Sequence, residues 1–545
     1  MQGLMMNYQL TLRPILERAN NLFAKKEIVT RMDWGIHRYT YSDFYKRCCQ
    51  LANALNTLGV EPGSRIGTFG WNSYRHLELY FAIPCSGNVC HTLNLRLHES
   101  QLEYIVNHAD DRVIFIDENL LSLLEPLADK LPNVTHYVIM GEPGKPMPET
   151  TLPNAVSYED LISAESDTYD WPELDENTAA AMCYTSGTTG NPKGALYSHR
   201  SIYLHALSEC TTANFGLMES DVVMPLVPMF HVLSWGMPYA SAMMGCKQVY
   251  PTKYMAAADL AQIVADERVS FTAGVPTIWL GVLNYLEANP LDISSLRRIP
   301  CGGSAAPRFM IDTYREKYGV EIAHAWGMTE MSPLGSLSFL KAYMGDWDED
   351  VKAQLRAKQG LPLPHVEWRV VDAETGQVQP WDGKAVGELQ VKGPCVISEY
   401  YDDVRSAGSF DDGWFKTGDV VTIDSEGYMQ IVDRTKDLIK SGGEWISTVD
   451  LENALMAHAD VFEATVIAVP HPKWSERPLA LVVTNPNSAE PPTKESLYAL
   501  LSETFEKWQL PDDIVYIDEV PKTSTGKFDK KRIRQQYQGY KLPTV

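Results

Sequence analysis

Between Tyr41 and Leu58 apolar residues return every three or four positions among charged ones, which predicts an amphipathic helix. Arg65-Ile66-Gly67-Thr68-Phe69 then reads as a buried strand, Arg75 to Ala82 as a helix, and Val113-Ile114-Phe115-Ile116 as another strand. The alternation continues through Asp221 to Val275. Such a rhythm predicts an α/β fold of layered, largely parallel sheets. After about Leu361 short strands take over: Val386 to Val391, Val420 to Ile423, and Tyr428 to Val432 around the turn Asp424-Ser425-Glu426-Gly427. They predict a β-rich subdomain. A charged, Gly-containing run from Asp433 to Trp445 suits a hinge. Beyond it Val449 to His458 reads as a helix and Ala464 to Val469 as a strand, giving a small α+β C-terminal domain.

Length changes this picture first. At 545 residues the chain exceeds one hydrophobic core, so at least two domains are expected. Its 45% hydrophobic and 21% charged residues are those of a globular protein rather than a disordered one. Seventy carboxylates against 47 Lys and Arg leave a formal charge of -23, which argues against nucleic-acid partners. One stretch runs the other way: Lys522, Lys527, Lys530, Lys531, Arg532, Arg534 and Lys541, with Asp529 the only acid among them. Taken alone it reads as a solvated basic helix face. The nine cysteines are scattered without CxxC spacing, as expected of a reducing cytoplasm. No signal peptide and no membrane-spanning run is expected, although peripheral membrane contact stays open.

Six short blocks carry candidate chemistry. Tyr184-Thr185-Ser186-Gly187-Thr188-Thr189-Gly190-Asn191-Pro192-Lys193-Gly194 joins two predicted strands, Ala179 to Cys183 and Ala195 to Tyr197. Its glycines let backbone N–H groups turn inward around an anion, its hydroxyls add donors, and Lys193 adds charge. A polar hairpin is the bland alternative. No Gly-Lys-Ser/Thr closes the run, so it is not a Walker A loop. His324-Ala325-Trp326-Gly327-Met328-Thr329-Glu330 sets a flat aromatic, a glycine and a carboxylate close together. An aromatic can stack on a base, and a carboxylate can ligate Mg²⁺. Alone, Trp326 reads as core. Thr417-Gly418-Asp419 offers a carboxylate able to accept from two ribose hydroxyls, though an isolated one marks only a turn. Gly302-Gly303-Ser304-Ala305-Ala306-Pro307 would let backbone approach a ligand or make a plain tight turn. Val227 to Trp235 contains Phe230-His231, and Lys527 lies in Lys522-Thr523-Ser524-Thr525-Gly526-Lys527-Phe528. A core histidine, a buried Trp235 and a surface lysine are their plainer readings.

In this order the blocks resemble the adenylate-forming superfamily of acyl-CoA synthetases, luciferases and peptide-synthetase adenylation domains. The resemblance covers nearly the whole chain and is nearest to bacterial medium- and long-chain fatty acyl-CoA synthetases. It implies that an acid and ATP form acyl-AMP and pyrophosphate, and that coenzyme A then takes the acyl group and releases AMP. Mg²⁺ is the implied cofactor, with Thr185 and Glu330 at the metal. Thr185, Ser186, Gly187, Thr188, Thr189 and Lys193 are implied around the phosphates. Gly303, His324, Ala325, Trp326 and Gly327 are implied around the adenine, with Trp326 where a Tyr is usual. Thr329 falls at the α-phosphate, Asp419 at the ribose, and Arg434 faces the nucleotide. Lys527 would meet the charge that builds on the α-phosphate in the transition state. His231 falls beside the reacting carboxylate. Trp235 falls at a gate of the acyl tunnel, which Gly303 also borders.

The resemblance further implies rotation of the C-terminal domain between the two half-reactions, with Lys436 as pivot. Gly442, Gly443 and Trp445 would then flank the coenzyme A channel, and Lys436, Lys440 and Trp445 would contact the adenylate in at least one state. The expected division is an N-terminal domain over residues 1–433, a hinge over 434–439 and a mobile domain over 440–545. Relatives imply a cytoplasmic homodimer formed through the N-terminal domain. Two rivals remain within the family: a short or sulfur-containing acid such as methylthiopropionate, and an acceptor other than coenzyme A. A non-enzymatic acyl- or nucleotide-binding protein would lack Thr185, Glu330, Asp419 or Lys527, all of which are present.

Overall fold

The computed structural model describes residues 1–185, 191–434, 437–441, 444–486, 488, 490–523 and 527–544. Of the candidate residues, Ser186, Gly187, Thr188, Thr189, Lys436, Gly442 and Gly443 lie outside these.

The first helix foreseen by periodicity spans Tyr41–Thr57. Thr40 caps it, accepting from Asp43 N–H while the Asp43 carboxylate reaches back, and this satisfies two otherwise orphaned donors. Its buried face carries Phe44, Cys48, Leu51 and Leu55, the spacing that marked it. The strand Arg65–Phe69 runs parallel to Val89–Thr92 on one side and Asp111–Asp117 on the other. Helix Tyr74–Cys85 is longer than the segment expected at Arg75 to Ala82, because Ser73 caps it one residue earlier. All twelve of its residues are buried. Arg75 and Glu78 are tolerated inside because they pair with Glu159 and Arg47.

Two large sheets result. One has seven strands, parallel except for the antiparallel edge Gly194–Ser198 on Ala179–Tyr184. The other has nine strands; its central run from Lys247–Tyr250 through Val222–Met224, Phe271–Thr272 and Arg298–Gly302 to Glu321–Gly327 is parallel throughout. The β-rich texture after Leu361 folds as a five-stranded antiparallel sheet around the strand Trp414–Ile423. Past residue 437 a second five-stranded sheet forms around Ser475–Thr484, packed by helix Thr448–Met456. No helix among the described residues is long and apolar enough to cross a membrane. All nine cysteines are free thiols.

The sheets matter here for where they end. Tyr184, Thr272, Gly302 and Gly327 close parallel strands of the two sheets, and Val222–Met224 leads on to His231. In open α/β sheets, ligand crevices form outside these carboxyl ends. Gly302 is required there: a Cβ on it would stand 2.4 Å from the carbonyl oxygen of Ala325 on the adjacent strand. Gly302→Ala should therefore destabilise the protein by about 1–3 kcal/mol, the usual cost of overpacking. Thermal unfolding of the purified variant checks this; an unchanged melting temperature would mean that the two strand ends part freely.

Candidate active site

Gly303 turns away from its strand with φ +88°, a conformation that glycine adopts at little cost. The Lys527 side chain lies against it: a Cβ on Gly303 would meet Lys527 Cε at 3.2 Å and the side chain of Val275 at 3.3 Å. Lys527 is held at this point by its backbone: Thr523 N–H donates to the Lys527 carbonyl and Lys527 N–H to Thr523 Oγ1. A lysine more than two hundred residues downstream is thus brought onto the small-residue loop. His231 shares the neighbourhood. Burial and then the Lys527 ammonium push its pKa down to about 3, so it is neutral near pH 7 and can accept or donate one hydrogen bond without adding charge.

The backbone beyond His231 takes a form that no sequence pattern announced. Val232, Leu233, Ser234 and Trp235 all have positive φ, between 37° and 53°, and Gly236 follows at 78°. This left-handed turn places Trp235 in the core, 8% exposed, and Ser234 Oγ donates to the Val227 carbonyl at 2.8 Å. A single residue in this conformation costs on the order of 1 kcal/mol, so four in succession make a strained segment. Gly236 admits no side chain, because the Glu209 carboxylate and the His205 ring fill the space a Cβ would need.

Trp326 stands on the strand Glu321–Gly327, with its indole packed over Gly335; a Cβ there would come within 2.5 Å of the ring. Its Nε1–H donates to Asp419 Oδ2 at 2.8 Å, and Arg434 Nε holds Asp419 Oδ1 at 3.1 Å. Asp419 and Arg434 are register partners on adjacent strands, which explains why two residues far apart in sequence meet. The expected trio of Trp326, Asp419 and Arg434 is therefore one hydrogen-bonded unit. His324 is fully buried, with Nδ1 on the Ala357 carbonyl and Nε2 accepting from Ala306 N–H. It anchors the 302–307 loop to the strand beside it. Thr329 is held through its carbonyl by the Tyr197 hydroxyl at 2.7 Å.

Glu330 is 7% exposed, and burial raises its pKa while Tyr400, Arg434 and Lys193 pull it back down. The Tyr400 hydroxyl donates to its Oε1 at 2.7 Å. Thr185 Oγ1 accepts from Lys193 N–H at the neck of the glycine-rich loop. Among the described residues no group of three or more His, Cys, Asp or Glu could by itself hold a metal. A single buried carboxylate, Glu330, fits Mg²⁺, which keeps several waters and takes phosphate oxygens from its nucleotide. Lys440 and Trp445 pair with each other across a short hairpin, the ammonium 5.0 Å from the ring centroid, and Trp445 is 48% exposed.

Sequence reasoning missed the segment 397–405. Tyr401 pairs its backbone with Gly194, Arg405 donates to the Asn191 carbonyl, and Ile397 N–H donates to the Glu330 carbonyl. Only the paired tyrosines flanked by acids in Glu399-Tyr400-Tyr401-Asp402-Asp403 offered a signal.

Comparison with known proteins gives the family of the chain. Residues 16–401 match the model of the AMP-binding enzyme family, and residues 450–527 that of the AMP-binding enzyme C-terminal domain. A long-chain-fatty-acid–CoA ligase of Thermus thermophilus is 48% identical, covering 98% of this chain and 97% of that protein. A 3-methylmercaptopropionyl-CoA ligase of Ruegeria lacuscaerulensis is 43% identical over 98% of this chain and 99% of its own. A medium-chain-fatty-acid–CoA ligase of Ectopseudomonas oleovorans is 42% identical over 98% of both. Among solved structures, the anthranilate CoA ligase AuaEII with anthranoyl-AMP superposes with a TM-score of 0.87 at 25% identity, covering 98% of this chain and 99% of that one.

The Trp326–Asp419 hydrogen bond generates a prediction. Trp326→Phe keeps an aromatic face but leaves Asp419 Oδ2 without its donor. We expect KM for ATP to rise about tenfold or more, the scale of one hydrogen bond to a charged group, with little change in KM for the acid. Initial rates at varied ATP check this; equal effects on both substrates would deny the contact a role in nucleotide binding.

Proposed function

The chain belongs to the adenylate-forming family of AMP-binding enzymes, as an AMP-forming acid–CoA ligase, and from that premise we propose that it activates a medium- or long-chain fatty acid. The observation that carries the catalytic reading is Lys527 packed on Gly303 beside a neutral His231. The acid's carboxylate attacks the α-phosphorus; the new C–O–P bond forms as the bond to pyrophosphate breaks. Lys527 meets the charge growing on the α-phosphate oxygens, a contact stronger in the transition state than in the ground state. His231, kept uncharged, orients the carboxylate without neutralising it. Asp419 accepts from the ribose hydroxyls on the lone pairs that Trp326 and Arg434 leave open. Thr329 bonds the α-phosphate, and Ser186, Gly187, Thr188, Thr189 and Lys193 surround the outer phosphates. Thr185 and Glu330 would hold Mg²⁺, which supplies charge neutralisation on those phosphates.

In the second half-reaction the coenzyme A thiolate attacks the acyl carbonyl and AMP leaves. Residues 440–545 turn about the hinge 434–439, with Lys436 as pivot. Lys440 and Trp445 then approach the adenylate, and Gly442 and Gly443 flank the thiol's path. The reading includes a cytoplasmic homodimer formed through residues 1–433.

The acid is fatty on two grounds. Trp235 is buried in the protein's main apolar core, which suits an alkyl chain. The long- and medium-chain ligases are 48% and 42% identical to this chain. The 43% identity of the methylmercaptopropionyl ligase supports a second reading, a short thioether acid at the same site.

ATP–pyrophosphate exchange over straight-chain acids from acetate to stearate, with 3-methylmercaptopropionate alongside, decides between them. The fatty reading expects kcat/KM to peak at medium or long chains. A peak at the thioether acid selects the second, and no exchange with any acid removes both. Lys527→Ala separates the half-reactions. Exchange should fall about a hundredfold or more, the scale of one lost transition-state contact, while a preformed acyl-adenylate is still converted to thioester. Equal loss of both steps in a folded variant would mean that Lys527 does not serve adenylation alone.

A further inference from the structure

One side chain outside the six blocks named above touches two groups inside them. Tyr400 donates its hydroxyl to Glu330 Oε1 at 2.7 Å, and the Lys193 ammonium lies 4.3 Å from the centroid of the same ring. The ring is 6% exposed and has little freedom. Its backbone N–H donates to Ser406 Oγ at 2.9 Å. The next residue, Tyr401, donates its N–H to the Gly194 carbonyl, also at 2.9 Å, directly after the glycine-rich loop. Three residues earlier, Ile397 N–H donates to the Glu330 carbonyl. Arg405, clamped by Asp403, caps the Asn191 carbonyl. Segment 397–405 is therefore tied at one end to the turn bearing Glu330 and at the other to the exit of the loop bearing Lys193.

Glu330 and Lys193 both have long side chains with several rotamers, and ordering each costs free energy of its own. A phenol ring is rigid, so the distance from its hydroxyl to its face is set by covalent geometry. We propose that Tyr400 is a positioning residue for adenylation: its hydroxyl fixes the Glu330 carboxylate and its ring seats the Lys193 ammonium, so the group that meets the metal and the group that meets the phosphates keep a constant separation. The proposal rests on the metal-binding role of Glu330 and the phosphate-binding role of Lys193 in the functional reading. Tyr400 itself touches no reacting atom. The benefit is preorganisation, since a nucleotide with its cation meets two groups already in register instead of ordering them on arrival.

Tyr400→Phe and Tyr400→Leu divide the two contacts. The first keeps the ring under Lys193 and drops the hydroxyl; the second drops both. Binding of Mn²⁺ with a non-hydrolysable ATP analogue, followed by electron paramagnetic resonance, reads the metal end without catalysis. Binding of the analogue without metal reads the Lys193 end. We expect Tyr400→Phe to weaken Mn²⁺ binding about tenfold, the scale of one hydrogen bond to a charged group, with metal-free nucleotide binding and melting temperature retained. Tyr400→Leu should weaken both. In the double variant Tyr400→Phe with Glu330→Gln, the loss should not exceed that of Glu330→Gln alone, because both changes remove one interaction.

Wild-type Mn²⁺ affinity in Tyr400→Phe overturns the proposal. So does an additive loss in the double variant, or a parallel fall in every parameter together with melting temperature. Absence of exchange with all acids in the wild-type protein would instead count against the functional reading, and the Mn²⁺ titrations would still report on Tyr400.

Discussion

Backbone approaches backbone around this site more closely than any side chain would permit. A Cβ on Gly302 would collide with the Ala325 carbonyl, and one on Gly327 would stand 2.3 Å from the carbonyl oxygen of Pro333. These contacts fix the ends of two parallel strands against each other and against the segment that follows. The residues proposed to face the nucleotide are referred to this frame. Gly303 can turn outward only because Gly302 is in place, and Lys527 packs on the surface that Gly303 leaves bare. Trp326 is held flat because Gly335 beneath it has no side chain. Glycine here creates positions for a lysine and an indole, which is a different use from flexibility.

The second constraint is electrostatic. A chain of formal charge -23 binds a polyanion, so positive charge must be spared inside the site. Buried carboxylates would consume it, since an unpartnered one is costly and the nearest cation is the obvious remedy. Here the burden falls partly on neutral donors. The Trp326 indole N–H takes one oxygen of Asp419, and the Tyr400 hydroxyl takes one of Glu330. Lys193 rests on the aromatic face of Tyr400. His231 adds no competing positive charge because burial and Lys527 keep it neutral. Only Arg434 divides itself, pairing with Asp419 while remaining half exposed.

Much of this was legible in the sequence. The strand Arg65–Phe69 has the limits its apolar run predicts, and the turn after Asp424 closes through the Gly427 N–H. The small-residue run 302–307 declared itself as a loop, and residues 303–307 carry no regular structure. The rest was hidden for physical reasons. The left-handed turn Val232–Gly236 is built from four residues that disfavour it, so no propensity reveals it; only the surrounding packing holds it. The pairing of Asp419 with Arg434 is a register between strands, which spacing along the chain does not encode. Tyr400 gave no motif because its function lies in what it touches, and an aromatic between acidic residues has many ordinary explanations. His324 read as a nucleotide neighbour, and the structure gives both its ring nitrogens to the backbone of the adjoining loop and helix.

The same geometry bears on how a proposed rotation of residues 440–545 could be driven. Asp433 is 1% exposed, and its Oδ2 accepts from both the N–H and the hydroxyl of Thr448, the first residue of the helix Thr448–Met456. Lys530 joins this group through Thr448 and pairs with Glu452 at 2.8 Å, while Arg534 pairs with Asp437. Of these, the two Asp433–Thr448 bonds cross the expected hinge, so a large turn about it must exchange them for water. Exchange is not ruinous, because a carboxylate that loses two donors while gaining solvent recovers most of what it gave up. The decisive change is then at the other end. In the proposed reaction, Lys527 answers the negative charge of the phosphates while ATP is bound and so holds the C-terminal residues over Gly303. Departure of pyrophosphate removes most of that charge, and the attraction that kept Lys527 in place falls with it. The chemistry of the first step thereby weakens the contact that would obstruct the second, and no separate signal is needed to release it.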